Sequence, residues 1–334
     1  MPKITDLVTF DHLESQDGCQ TTDTIFHVQP VGFGFNFETA QDNSYMSEEE
    51  AECLNAQFIE ANALHESDAF VQTLSNAGVT VVVSRGEQNT PDAVFPNNWF
   101  STHSAYEGHP YRLILYPMTC ESRRAERSAE RIHLIKAYCG VVDDSQVLDL
   151  SHYEEEGKFL EGTGACVFDR INKVCYVGLS KRADAEVAQE LCDHIGYKLI
   201  TFKTHDETDM PIFHTNVMLN IGNTFAMLCD ECFACGDELE MVQHSLATSG
   251  RTVVPISLLQ VRFFCGNALE LRGEKNGEPM FFITMSQNAW DNLFDWQQSL
   301  IQEHVDDVIP IPVNTIERIG GGSVRCMIGQ LFTS

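Results

Sequence analysis

The sequence has 334 residues, of which 43% are hydrophobic and 21% are charged, a composition typical of a globular protein with a sizeable core. Its 49 acidic and 21 basic residues give a formal net charge of −28, which disfavours nucleic-acid and membrane partners. The N-terminus lacks the apolar segment of a signal peptide, and no uncharged run approaches the roughly 18 residues of a spanning helix. We therefore expect a cytoplasmic protein with a small-molecule partner, and we leave a homo-oligomer open.

Short β-branched runs alternate with acidic or alanine-rich helical stretches along the chain. The predicted strands lie at 79–83, 112–115, 165–179, 217–228, 252–256 and 280–285, and the predicted helices at 47–64, 123–138, 183–195, 232–247 and 288–303. The repeat of about 50 to 60 residues suggests supersecondary units that close on themselves. No low-complexity linker divides the chain, so we predict a single domain over residues 1–334.

A glycine-rich turn near the C-terminus, residues 320–322, precedes Cys326. Glycines let a backbone and a thiol approach a ligand closely, and a cysteine nucleophile needs a base near it in space. His214, which precedes an apolar run, could be that base. Cys326 and His214 alone are weak evidence for a catalytic pair, because most of the 12 cysteines are expected to be reduced thiols inside the core.

Other motifs extend this pattern in a fixed order. They are Phe-Pro-Asn-Asn-Trp at 95–99, Leu-Glu-Gly-Thr-Gly at 160–164, Val-Gly-Leu-Ser-Lys-Arg at 177–182, His-Thr-Asn at 214–216 and the terminal Gly-Gly-Gly-x-x-x-Cys. Together they resemble the pentein superfamily of arginine deiminases, dimethylargininases and amidinotransferases, over about residues 28–331. The segments at 122–126 and 177–183 resemble eukaryotic-type dimethylargininases. Those at 29–30 and 36–40 resemble the bacterial arginine-deiminase-related or citrulline-utilising hydrolases.

The resemblance implies an α/β pentein fold, a five-bladed propeller of ββαβ units around a pseudo-fivefold axis with the site at its centre. It implies that Cys326 is the nucleophile, that His214 is the general acid/base, and that Glu161 holds the imidazole or a substrate nitrogen. A carboxylate neighbour raises a histidine pKa, so we expect Glu161 to favour the imidazolium. The chemistry requires neither a metal nor a cofactor.

Arginines at two further positions match those that bind the substrate carboxylate in the family. One is Arg182; the other is Arg123 or Arg124, between which the sequence does not choose. A planar guanidinium can hold both oxygens of a carboxylate at once.

The sequence departs from arginine deiminases at Asn98 and Asn216, where those enzymes carry aspartates that pair with the guanidinium. A buried cation facing neutral amides loses charge pairing, whereas a ureido group suits their donors and acceptors. We therefore predict citrulline as substrate, hydrolysed to ornithine, carbon dioxide and ammonia. An arginine deiminase or dihydrolase, a dimethylargininase, an amidinotransferase and a non-catalytic binding module are the alternatives.

Several weaker candidates remain. Asp92 could bind substrate or cap the turn before Asn98, and Asn36, Asn43 and Asn267 could contact the amino end of the substrate. The cysteines at 229, 232 and 235 have Cys-x-x-Cys spacing, but they are one thiol short of a four-cysteine site, so we predict no metal there.

Overall fold

The computed structural model describes residues 20–333. Within them the strands are β1 (Thr24–Gln29), β2 (Thr80–Arg85), β3 (Phe100–His103), β4 (Arg112–Leu115), β5 (Val147–Asp149), β6 (Cys166–Asp169), β7 (Val174–Leu179), β8 (Lys198–Lys203), β9 (Leu219–Ile221), β10 (Phe225–Leu228), β11 (Thr252–Pro255), β12 (Leu269–Lys275), β13 (Glu278–Ser286), β14 (Asp307–Ile311) and β15 (Gly329–Gln330). The α-helices are α1 (Glu48–Cys53), α2 (Ala56–Asn76), α3 (Glu121–Arg124), α4 (Ala129–Cys139), α5 (Gly162–Ala165), α6 (Ala185–Ile195), α7 (Gly236–Thr248), α8 (Leu258–Arg262), α9 (Gln287–Asp291) and α10 (Asp295–Gln302).

These strands form five small three-stranded sheets, each with the same topology. In every sheet the central strand pairs antiparallel with one neighbour and parallel with the other, and a helix connects the two parallel strands. Each unit is therefore ββαβ, as parallel neighbours require a crossover connection. The five-bladed pentein fold expected from the sequence is confirmed.

The first unit takes its antiparallel strand from the other end of the chain. Strand β15 pairs with β1 through Ile25 opposite Gln330 and Phe26 opposite Gly329. The antiparallel strands contact one another around the ring, with β15 next to β3, β6 next to β9 and β9 next to β12. They are thus the inner strands, and the turns beside them surround the axis.

Apolar side chains fill the space between each sheet and its helices. In the third unit, Val187, Leu191 and Ile195 of α6 are buried against Val177 of β7. Burying each such side chain contributes about 1.5–3 kcal/mol. Asp184 caps the first turn of α6 by accepting two backbone N–H groups, which fixes where the helix begins.

Most of the helices and strands predicted from the sequence are present, but several predicted boundaries are wrong. The helix predicted at 123–138 is two helices, because Ser128 is extended and caps α4 with its side chain. The helix predicted at 47–64 is likewise divided, since Asn55 caps α2. The runs at 165–179 and 217–228 are each two antiparallel strands. No helix in residues 20–333 is long and apolar enough to cross a membrane. The single-domain assignment stays a prediction.

Candidate active site

Cys326 lies in a tight turn soon after a π-helical segment, Ile316–Gly320. Its backbone N–H donates to the carbonyl of Ser323 at 2.9 Å, and the residue is 5% exposed. The side-chain amide of Asn267 donates to Sγ from 3.3 Å, and the amide nitrogen of Asn216 lies 3.8 Å from the sulfur. These contacts hold the sulfur in place and supply the hydrogen-bond donors that a nucleophilic cysteine needs.

His214 lines the same cavity as Cys326 and is hydrogen-bonded to a buried carboxylate. Its Nε2 lies 2.8 Å from Oε2 of Glu161. Although burial alone would raise it, Arg182 and His214 hold the pKa of Glu161 far below its usual value. An ionised carboxylate only accepts hydrogen bonds, so Nε2 carries the proton and Nδ1 remains a base.

Two opposing effects set the pKa of His214. Burial lowers it; the hydrogen bond that His214 donates to Glu161 opposes this, while the charges of Arg182 and Arg123 add to the lowering. Glu161 thus favours the imidazolium, as expected from the sequence, but the net pKa is still lowered. Desolvation outweighs one carboxylate whose charge two arginines share.

The amides of Asn98 and Asn216 have fixed and opposite orientations. Oδ1 of Asn98 accepts from Arg123 Nη1 at 2.9 Å, and Nδ2 of Asn216 donates to the carbonyl of Thr163 at 3.2 Å. Arginine can only donate and a carbonyl can only accept, so neither amide can be flipped. Nδ2 of Asn98 and Oδ1 of Asn216 have no hydrogen-bond partner among residues 20–333. The two side chains thus leave one buried donor and one buried acceptor free. Asn98 lines the cavity shared by Cys326 and His214, whereas Asn216 lines a neighbouring cavity.

Gly164 allows these groups to approach. A Cβ atom at this position would lie 2.4 Å from Nδ2 of Asn98 and 2.9 Å from Nδ1 of His214. Any larger residue would therefore displace the amide and the imidazole.

Arg182 also lines the cavity and is 1% exposed. Its Nη1 is 3.4 Å from Oε2 of Glu161, its Nη2 donates to the carbonyl of Thr39 at 3.0 Å, and its guanidinium lies 4.8 Å from the ring centroid of Phe213. Nη2 also forms an ion pair with Asp42. A carboxylate of the protein itself therefore occupies the guanidinium that the sequence assigns to the substrate carboxylate.

The structure separates Arg123 from Arg124. Arg123 is 2% exposed and lines the cavity, where it makes a two-pronged ion pair with Glu126 at 2.8 and 3.0 Å. Arg124 points away from the cavity, with a third of its side chain exposed, and its Nε lies 3.2 Å from Glu154. Of the two candidates, only Arg123 is at the site.

Residues 36–43, after β1, form a covering segment. Thr39 and Asn43 of this segment line the cavity, and Asn36 and Thr39 contact Asp92. Asn36 and Thr39 donate to Oδ2 of Asp92 at 2.9 and 2.7 Å, while Oδ1 has no partner among the described residues. Nδ2 of Asn43 donates to the carbonyl of Gly321 at 3.2 Å. Gly321 has φ 65°, and a Cβ there would lie 2.5 Å from that amide, so the contact requires glycine. Asn36 thus supports Asp92 and does not line the cavity.

The covered cavity is small. Its volume is about 20 Å³, close to the space of one or two waters. A cavity of this size does not hold an amino acid.

With this geometry in place, the relatives can be compared. Residues 29–333 match the family described as N,N dimethylarginine dimethylhydrolase, eukaryotic. The chain belongs to this family. It is therefore a pentein and a hydrolase of non-peptide C–N bonds. No curated protein matches it in sequence.

Solved structures share the fold at low sequence identity. The N-terminal domain of ArgZ, an arginine dihydrolase from the ornithine-ammonia cycle in Cyanobacteria, superposes with a TM-score of 0.70 and 14% identity over 93% of this chain and 98% of that domain. AgrE bound to L-arginine gives a TM-score of 0.66 and 14% identity, covering 91% of this chain and 39% of AgrE. A dimethylarginine dimethylaminohydrolase adduct gives 0.61 and 14%, covering 92% and 98%.

Sequence reasoning missed two parts of the site in this dimethylargininase-family member. It did not identify Asp42, and it assigned Asn267 to the amino end of the substrate, whereas Asn267 contacts the sulfur of Cys326. Both lie in irregular segments whose path depends on the whole ring. A signal for Asp42 was its position two residues after the segment 36–40, which resembles the citrulline-utilising branch.

The cysteine cluster is divided by burial. Cys229 and Cys232 are buried, Cys235 is exposed, and no group of three or more potential ligands is arranged for a metal among residues 20–333. That the protein needs no metal stays a prediction.

Proposed function

We propose that this protein hydrolyses the ureido carbon of citrulline, with Cys326 as nucleophile and His214 as acid/base. The free donor of Asn98, which lines the cavity together with Cys326, carries the proposal. A ureido group presents its C=O acceptor to this donor without bringing a charge into a buried site. Asn216 lies beside the sulfur, with Nδ2 3.8 Å from Sγ, but it does not line that cavity, so a hydrogen bond from a ureido N–H to its free acceptor is the second part of the proposal.

The first step begins from a neutral imidazole. Nδ1 of His214 takes the thiol proton as the sulfur of Cys326 attacks the ureido carbon, and Glu161 stabilises the imidazolium that forms. The imidazolium then protonates the terminal amino group of the adduct, which leaves as ammonia. The product of this step is a thiocarbamate between Cys326 and the rest of the substrate.

Water completes the reaction. Neutral His214 takes a proton from water, the hydroxide displaces the sulfur, and the proton returns to Cys326. The carbamate released loses carbon dioxide to give ornithine. Citrulline and one water thus yield ornithine, carbon dioxide and ammonia, which balances in every atom.

The arginines divide the remaining roles. Arg182 binds the substrate carboxylate once Asp42 has left it, because a guanidinium can hold two carboxylate oxygens. Arg123 directs its donors to Glu126, to Oδ1 of Asn98 and to the carbonyl of Phe95 at 3.1 Å. It therefore orients the amide of Asn98 and is a positioning residue.

A second candidate function has its own observation. Oδ1 of Asp92 is buried without a partner among residues 20–333 and lines the cavity. A free carboxylate oxygen favours a cationic group, which could be the guanidinium of arginine or dimethylarginine, or the α-ammonium of citrulline. The family match supports the guanidinium alternatives.

The test is a substrate panel. The purified protein is incubated separately with citrulline, arginine, asymmetric dimethylarginine and agmatine, and ornithine, citrulline, ammonia and dimethylamine are quantified. We expect the highest kcat/KM for citrulline, with ornithine as product. Faster turnover of arginine or dimethylarginine would contradict the substrate assignment and leave the cysteine mechanism standing. No product from any of the four, with all four bound, would favour a binding module.

A further inference from the structure

Six arginines are buried among residues 20–333, and they fall into two groups. Four of them have a carboxylate oxygen within 4.0 Å: Arg123 with Glu126, Arg131 with Glu87, Arg182 with Glu161 and Arg251 with Asp169. Arg170 and Arg325, 4% and 7% exposed, have none among the described residues. A buried charge without a counter-charge is costly, so the second group requires an explanation.

Both unpaired guanidiniums line one cavity of about 30 Å³ on the axis of the ring. Residues of the inner strands β6, β9, β12 and β15 form its walls. Asn216 and Asn220 also line it. It is distinct from the cavity of the candidate active site, which Arg123 and Arg182 line.

Neutral partners satisfy these guanidiniums only in part. Nη1 of Arg170 donates to the carbonyl of Thr102 at 3.1 Å and lies 3.3 Å from Nδ1 of His103, but its buried Nη2 has no hydrogen-bond partner. Its guanidinium also stacks 4.2 Å from the ring centroid of Phe332. Nη1 of Arg325 donates to the carbonyl of Ile328 at 3.1 Å. Both groups therefore keep donor capacity and an unbalanced positive charge.

The charges also act on each other. Burial lowers the pKa of Arg325 to about 10; an ionised Cys326 opposes this effect, and the charge of Arg170 adds to it. Burial likewise lowers the pKa of Arg170. Water in the cavity could complete hydrogen bonds, but it would leave both charges unbalanced.

We infer that this axial cavity binds one small monovalent inorganic anion, held by the guanidiniums of Arg170 and Arg325. A single water needs roughly 10–15 Å³ of such space, so the volume admits one small anion and excludes an amino acid or a nucleotide. Chloride from the medium and bicarbonate, formed by hydration of the carbon dioxide that the proposed reaction releases, share this chemistry. The bound anion links four of the five units to the turn that carries the nucleophile.

The first experiment measures thermal unfolding of the whole protein at constant ionic strength. Sodium gluconate, whose anion is too large for the cavity, is replaced stepwise by sodium chloride, bromide or bicarbonate. We expect a saturable rise in Tm with at least one small anion, because a ligand that binds the folded state stabilises it by mass action. With a net charge of −28, the protein has little tendency to bind anions elsewhere. Equal melting in all four salts would overturn the inference.

The variants locate the effect. Arg170→Gln and Arg325→Gln should each abolish the anion-dependent rise in Tm. The matched control is Arg262→Gln, which removes an exposed arginine paired with Glu207 at 2.7 Å and should keep the full rise. Retention of the rise in both cavity variants would place the anion elsewhere and contradict the inference.

A crystallographic measurement does not depend on the folding of any variant. Crystals of the unmodified protein grown in sodium bromide should show an anomalous peak within contact distance of both guanidiniums. A cavity without that peak, beside other occupied bromide sites, would show adventitious ions only and overturn the inference.

Discussion

Two parts of the candidate site, the reacting end and the proposed carboxylate end, are built differently. At the reacting end, Cys326, His214 and Glu161 are at most 5% exposed and lie on short turns of different units. At the proposed carboxylate end, Arg182 is tied to Asp42, whose side chain is 24% exposed, in the covering segment. The reacting end is therefore organised before substrate arrives, whereas under the proposed function the carboxylate end would exchange one carboxylate for another.

The largest effect should follow removal of the nucleophile. We expect Cys326→Ser to lower kcat by about 10⁴-fold or more with little change in Tm, because the sulfur serves chemistry and not packing. Single-turnover rates and melting curves check this. A covalent adduct trapped on a different cysteine, or a near-normal rate in this variant, would show that the nucleophile is misassigned.

The reacting end can be altered in its selectivity. The double change Asn98→Asp with Asn216→Asp should weaken use of citrulline and improve arginine binding, moving the ratio of their kcat/KM values by on the order of 10²- to 10⁴-fold. The two new carboxylates would face a guanidinium and would repel the lone pairs of a ureido oxygen. An unchanged ratio would mean that these amides do not discriminate between a ureido group and a guanidinium.

The carboxylate end offers a matched pair of arginines. Arg182→Gln should raise KM for the amino-acid substrate by about 10- to 100-fold, the value of a charged hydrogen bond, with a smaller change in kcat. Arg124→Gln, one residue from Arg123 but outside the cavity, should leave KM unchanged. Equal effects of both changes would indicate that the overall positive charge of the protein, and not a specific site for the substrate carboxylate, determines KM.

A smaller effect should come from the covering segment. Asp42→Asn removes the internal competitor for Arg182, and we expect KM to fall by a few-fold, since a partly exposed ion pair contributes on the order of 1 kcal/mol. Tm should fall slightly. A rise in KM would instead make Asp42 part of the substrate site, for example as a partner of the α-ammonium.

The smallest effect concerns one proton. NMR titration should find the pKa of His214 below that of a free histidine, and Glu161→Gln should lower it further, because the carboxylate opposes the desolvation of the ring. The imidazole of the unmodified protein would thus be neutral at pH 7. A pKa that rises in the Gln variant would contradict the hydrogen bond between Nε2 and the carboxylate.

The sequence predicted the pentein fold, and the residues that it assigned to the reacting end lie close together, since both depend on short local motifs with a fixed order. The catalytic roles of those residues stay predictions. Cys326, His214, Glu161 and Asn98 all meet at one cavity, or contact a residue that lines it. Helix boundaries were less predictable, because a cap such as Ser128 ends one helix and begins another within a continuous charged stretch.

The surroundings of Arg182 could be predicted less well from sequence motifs. The choice between Arg123 and Arg124 depends on which face of a four-residue helix turns inward, and a helix that short has no periodicity to read. The net pKa shift of His214 depends on burial, which sequence does not show. The contact of Asp42 with Arg182 joins residues 140 positions apart, through a segment with no regular structure.

The closure of the ring by β15 also has a consequence for how the chain folds. Ile25 pairs with Gln330, so the pairing that completes the first blade joins residues that are far apart in the chain and leave the ribosome at different times. Closing a loop of this length costs conformational entropy, and proteins rich in long-range contacts fold slowly. Cys326 follows every other residue of the cavity in the chain, three positions before β15. A nascent chain could therefore form most of its blades with the acid/base pair in place and still have no nucleophile, and catalysis would begin only when the ring closes.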